Sequence, residues 1–125
     1  ERKRVFLTYR EDDEYKGNHM PGTVLRDNES VPDAVERLLH GELAGMQITP
    51  PQPINKWLEI PKGTGVGQNP TRHEISLLHF CFLCGEGGTG YTGTGKFYPF
   101  RDLPVDTLSH HRVLIAHAVN YLAGD

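Results

Sequence analysis

The chain has 125 residues, a formal net charge of −3, 37% hydrophobic residues, Gly 14 and Pro 9. That length suits one domain, residues 1–125, around one core, and the negative balance provides no general electrostatic pull on nucleic acid. No run approaches the roughly 18 apolar residues of a membrane span, no leader peptide is expected, and two cysteines, Cys81 and Cys84, are too few for a disulfide framework; a soluble, cytoplasmic protein is the expectation.

Residues 4–9, RVFLTY, are rich in β-branched and aromatic side chains and predict a strand. The basic cluster Arg2-Lys3-Arg4 beside it reads as a solvated strand end. REDDEYKGNHMPG then reads as a polar loop. Ser30 opens a helix, with its hydroxyl capping the first turn and Asp33 reaching back as in a capping box. Val31, Ala34, Val35, Leu38 and Leu39 form the apolar stripe, and Gly41 and Gly45 mark a fraying end. The proline-rich stretch after residue 47 predicts loop, with a short strand around residues 56–60. RHEISLLHFCFLC has apolar side chains at both parities and predicts a strand buried on both faces, although Thr71 and Glu74 would also allow a capped helix. A glycine-rich connection follows, then the short strand KFYPF and a last helix with Ser109 before it and Gly124 after it. This order, β-loop-α-β-β-β-α, predicts an α/β or α+β sandwich with helices packed on a mixed sheet.

Several short patterns suggest chemistry and do not carry it. GYTGTGKF, residues 90–97, imitates a phosphate-binding loop, but Phe97 follows the lysine and a strand follows where a helix should begin. GTGVG, residues 63–67, fails as a dinucleotide fingerprint for the same reason. Cys81 and Cys84, three apart on a strand, would face opposite ways and read as structural. His110, His111 and His117 would lie near one helix face, and a zinc site assembled across elements is a minor alternative. Glu42 is different. It extends the helix stripe by one turn, where an unpaired carboxylate is costly to bury. A divalent cation would relieve that cost, as would a helix that ends at Gly41 and turns Glu42 to water.

The stretch from Met20 to Gly45 resembles a Nudix box, G-x5-E-x7-R-E-U-x-E-E-x-G-U, where U is a bulky apolar residue. KGNHMPG resembles the G-x-W-x-x-PGG segment that leads into it. Thr23 stands in the place of the first motif glycine. Glu29 and Arg37 keep the family's spacing, Leu39 matches the bulky position, and Glu42 matches the second glutamate of the pair. Leu38 and Gly41 replace two glutamates that ordinarily supply metal ligands and often the base. AVERLLHGEL is similar to GDP-mannose mannosyl hydrolases, which also have leucine after the arginine and keep a single glutamate for Mg²⁺. The C-terminal part resembles ADP-ribose-type members.

The resemblance implies a Nudix-like α/β/α sandwich and a Mg²⁺- or Mn²⁺-dependent hydrolase of a nucleoside diphosphate linked to a sugar or similar moiety. Glu42 and the carbonyl of Thr23 would hold the ion, with Glu29 and Arg37 bracing the loop against the helix. Glu86, in the loop before the last strand, is the implied base. Arg10, at the end of the first strand, reads either as a contact to a phosphate or base or as a solvated strand end. The implied partner is a small-molecule nucleotide, with neither nucleic acid nor membrane, and a homodimer stays open. Loss of two box glutamates is the basis of the alternative reading, a Nudix-fold protein that no longer catalyses and binds a nucleotide or a protein partner.

Overall fold

The computed structural model describes residues 4–12, 16–60, 74–84 and 90–124. In chain order they form strands β1 (Arg4–Glu11) and β2 (Lys16–His19), helix α1 (Val31–His40), strands β3 (Gln52–Ile60), β4 (Glu74–Phe80) and β5 (Lys96–Pro99), and helix α2 (Ser109–Leu122). The architecture is α+β. One antiparallel sheet has the order β2-β1-β5, and a second pairs β3 with β4. The described strands therefore form two small sheets where one mixed sheet was expected, and parallel pairing is limited to a bridge between Asn18 and Thr107.

Strand β2 lies in the segment that reads as polar loop. It has no apolar alternation and is held by backbone pairing, with Thr8 opposite His19 and Arg10 opposite Gly17. Gly17 adopts φ +149°, and a Cβ there would stand 2.0 Å from the Asp106 carbonyl oxygen. Glycine permits this approach because it lacks that atom. The Asn18 amide then donates to Asp106 O at 3.1 Å, and the Leu108 amide donates to Asn18 O at 2.9 Å. The outer edge of β2 is thereby stitched to the residues that lead into α2.

Helix α1 starts as its sequence predicts, with Ser30 Oγ accepting from the Asp33 amide at 3.2 Å. It stops at His40, where the Gly41 amide bonds back to Arg37 O and Leu38 O. Gly45, at φ +89°, lies against the start of the segment that enters β5: a Cβ there would be 2.3 Å from Gly90 O. The region 90–97 runs through a turn directly into β5, without the helix a phosphate loop needs.

Strand β3 begins at Gln52 rather than near residue 56, and its register is irregular between Pro53 and Trp57. Proline lacks an amide proton and is tolerated at such an irregularity. Strand β4 is not buried on both faces. Ile75 is 64% exposed, Leu77 50%, and Trp57, directly opposite Leu77, 60%. The cause is the pairing. β3 and β4 make a two-stranded ribbon, and α2 packs against it and cannot cover both sides. Strand β4 also ends at Phe80, so the opposite-face reading of the cysteines does not apply. The chain past Phe80 pairs with residues 47–49, through the Thr49 amide to Phe82 O and the Cys84 amide to Gln47 O, each 2.8 Å. Both thiols are free and partly exposed. Burial, then the neighbouring Cys84, pushes the Cys81 thiol up.

Helix α2 takes Ser109 as its first residue, and Leu108 holds the cap position without a side-chain cap bond. The buried apolar residues come from β1 (Leu7), from α1 and the turn after it (Ala34, Leu43), from β3 (Ile54), and from Leu108, Leu114 and Ile115 at α2. Among the described residues no helix is long and apolar enough to cross a membrane.

Candidate functional site

Arg37 organises one side of the site. Its Nε donates to Glu29 Oε2 at 2.9 Å and its Nη2 to Glu29 Oε1 at 2.7 Å, a two-pronged pair. The same guanidinium donates from Nη1 to Thr23 Oγ1 at 2.8 Å and from Nη2 to Val24 O at 2.9 Å. One helix residue thus ties down both ends of the loop from residue 23 to residue 29. The loop is shaped to meet it: Asn28 takes φ +62°, a conformation asparagine tolerates, and the Arg26 amide donates to Glu29 Oε1 at 2.9 Å. The Arg37 hydrogen bonds, followed by the Arg26 amide, lower the Glu29 pKa to about 2.

Glu42 lies past the end of α1, yet it does not turn to water. Thr8 Oγ1 donates to Glu42 Oε2 at 2.6 Å, and His19 Nε2 stands 3.6 Å from the same oxygen. Thr8 Oγ1 and His19 Nε2 are 3.4 Å apart, which closes a triangle of three polar atoms. Two strands make this meeting. Thr8 and His19 are direct partners across β1 and β2, so their side chains share a face, and the turn after Gly41 brings Glu42 to it. Thr8 is buried, and Glu42 keeps 28% of its side chain exposed. Burial lowers the pKa of His19 against the opposing pull of Glu42, so the ring is neutral at neutral pH. His19 Nδ1 is buried without a hydrogen-bond partner among the described residues.

A second imidazole stands behind the first. The His111 and His19 rings are 6.0 Å apart, and His111 packs edge-on against His110 at 4.6 Å. His111 Nδ1 accepts from the Met20 amide at 2.9 Å, which fixes its proton on Nε2 and anchors the chain where β2 turns toward Pro21 and Gly22. Burial, then the positive potential of His110, His19 and Arg10, lowers its pKa to about 3.

The residues singled out in the sequence therefore fall into separate places. Thr23, Glu29 and Arg37 form the brace; Thr23 takes part through its hydroxyl, and Glu42 contacts Thr8 and His19 instead. Arg10, near the end of β1, pairs with Asp12 at the partly exposed sheet end. Glu86 lies outside the described residues, as do His73 and the stretch 63–67. Among the described residues no group of three or more His, Cys, Asp or Glu side chains is arranged to hold a metal ion. Three residues of the Glu42 cluster were not singled out as its partners: Thr8, His19 and His111. The signal for Thr8 and His19 was the β1–β2 pairing, which the polar sequence of β2 conceals.

Comparison with protein-family models, with curated proteins and with solved structures returns no match to this chain.

Proposed function

We propose that the chain is a Nudix-type hydrolase of α/β/α sandwich architecture, acting on a nucleoside diphosphate linked to a sugar or similar moiety with a divalent cation. The observation that carries this reading is the Arg37 brace. An arginine at the motif position grips the motif glutamate, Glu29, and the backbone of the loop between them, as the resemblance implied. A loop fixed in this way can hold its carbonyls and amides in place for a diphosphate. Glu42 supplies the carboxylate, steadied by the Thr8 hydroxyl through Oε2, which leaves Oε1 for an ion. That donor set suits one divalent ion better than two, since among the described residues Glu42 is the carboxylate assigned to the ion. An ion bound there neutralises phosphate charge and orients water.

The test is turnover of a panel of nucleotide sugars and dinucleotides with Mg²⁺ or Mn²⁺, beside Glu42→Gln and Glu86→Gln. Turnover of at least one substrate, lost in Glu42→Gln, is expected. No turnover with any substrate, or an unaffected Glu42→Gln, overturns the hydrolase reading. Intact turnover in Glu86→Gln removes only the assignment of Glu86 as base.

A further inference from the structure

The outer edge of β2 ends on an irregular rung. Asn18 pairs in parallel with Thr107: its amide donates to Asp106 O at 3.1 Å, and its carbonyl accepts from the Leu108 amide at 2.9 Å. In a parallel ladder the next donor, the Met20 amide, would go to Leu108 O. That oxygen is taken by the first turn of α2, where it accepts from the His111 and Arg112 amides at 3.0 and 3.1 Å. The Met20 amide goes to His111 Nδ1 instead, at 2.9 Å. The imidazole thus stands in for a carbonyl that the helix has claimed, and carries the edge one rung further. Contacts of its ring with His110 and His19 fix its orientation.

We propose that His111 is a positioning residue for the loop that follows β2, holding from α2 the end that Arg37 does not reach. Two pins bound the entrance to that loop. One is the Met20 amide on His111; the other is Arg37, which grips Thr23 Oγ1 at 2.8 Å and Val24 O at 2.9 Å. Pro21 and Gly22 alone lie between Met20 and Thr23, and proline fixes its own φ. With both pins in place the Thr23 carbonyl has little room to move; with Met20 released, the entrance pivots about Thr23. Burial, with His110, His19 and Arg10 around the ring, keeps His111 neutral and so able to accept. This role rests on the reading of residues 23–29 as the loop that meets a diphosphate, and it brings a second helix to the support of that loop. Support of this kind matters to a reaction, because a misplacement of about 1 Å can cost roughly a hundredfold in rate.

The experiment compares wild type with His111→Leu, which keeps bulk and loses the acceptor, and with His111→Asn, whose amide oxygen can stand where Nδ1 accepts. Backbone amide spectra and hydrogen exchange are read beside turnover of the nucleotide panel, under conditions where urea unfolding shows each protein folded. In His111→Leu the Met20 amide should exchange about tenfold faster, and the Gly22 and Thr23 signals should shift. The Arg26 amide, held by Glu29, should keep its wild-type rate. Turnover should fall by about tenfold or more. His111→Asn should restore the protection, the signals and the turnover. An unmoved Thr23 signal, an Arg26 amide that accelerates along with Met20, or no recovery in His111→Asn overturns the positioning role. So does wild-type turnover in His111→Leu while its Met20 amide is exposed. If wild type turns over nothing, the hydrolase reading fails, and the amide signals alone still decide whether His111 holds the loop. Should His111→Leu fail to fold, the wild-type protein gives the answer. A through-hydrogen-bond ¹⁵N–¹⁵N coupling between the Met20 amide and His111 Nδ1 is expected, and its absence at neutral pH refutes the pin.

Discussion

Acid should weaken this fold chiefly through His111. Its Nδ1 accepts the Met20 amide, and a protonated ring cannot accept. The folded ring therefore resists protonation, and burial with the neighbouring positive groups lowers its pKa from 6.5 to about 3. Between those two values the unfolded chain holds the extra proton, so stability falls as pH falls; above them both states are neutral and His111 contributes no pH dependence. One proton corresponds to a slope of about 1.4 kcal/mol per pH unit. Integrated from about pH 7.5 to pH 5, the loss is about 2 kcal/mol. His19, lowered in the same direction by burial, adds to the wild-type slope. Urea unfolding at half-unit pH steps measures it, with His111→Asn as the comparison because an amide oxygen can stand where Nδ1 accepts. The variant should lose about 2 kcal/mol less than wild type over that interval. Parallel stability curves for the two proteins refute the assignment.

Three further outcomes follow from the geometry. Arg37→Lys cannot grip Glu29 and the Val24 carbonyl together, so amide exchange at Arg26 should accelerate and turnover fall by about tenfold or more; unchanged exchange and turnover speak against the brace. Gly17→Ala places a Cβ against the Asp106 carbonyl at positive φ and should cost about 3 kcal/mol in urea unfolding, with the His19 and His111 ring signals shifting as the β2 edge detaches. Ser30→Ala removes the α1 cap and should cost about 1 kcal/mol without changing ion binding, which separates helix stability from site chemistry.

The parts of the fold that were legible are those whose pattern is local. β1 has strand-forming residues and α1 has a cap and a stripe, and both stand close to where their sequences put them. The Glu29–Arg37 contact was expected only through the family resemblance; the residues by themselves place a helix after Ser30 and do not pair its arginine with the loop. β2 was not legible, because a strand held by backbone pairing and a glycine that admits Asp106 O needs no apolar alternation. The exposure of β4 was misread for a different reason. Apolar residues at both parities indicate two covered faces only if the sheet is wide enough to be covered, and strand count is not a property of one segment. His19 adjoins Met20 in the chain, whereas His111 reaches the Met20 amide across 91 residues. A contact of that separation is set by the pairing of β2 with the residues that lead into α2, which no local pattern records.

Glu42 shows why both readings drawn from the helix stripe were incomplete. One supposed that α1 continues and buries the carboxylate; the other supposed that it ends and releases the carboxylate to water. The helix does end at His40, and Gly41 closes it by bonding to Arg37 O and Leu38 O. The Leu43 amide still reaches back to Leu38 O at 3.3 Å, so the chain tightens into a turn instead of leaving. Leu43 is buried as a result, and Glu42 just before it swings to Thr8 and His19. Gly41 thus stands where the helix stops, one residue before Glu42. A bulkier residue at 41 would press its Cβ to 3.2 Å from Arg37 O, the helix residue whose side chain carries the brace. Gly41→Ala therefore perturbs both halves of the site from one position. If Glu42 depends on this turn, the variant should lose Glu42-dependent ion binding in proportion to the loosening of the Leu43 amide in hydrogen exchange. Retained binding with a loosened Leu43 amide would show that Glu42 finds Thr8 and His19 without help from the turn.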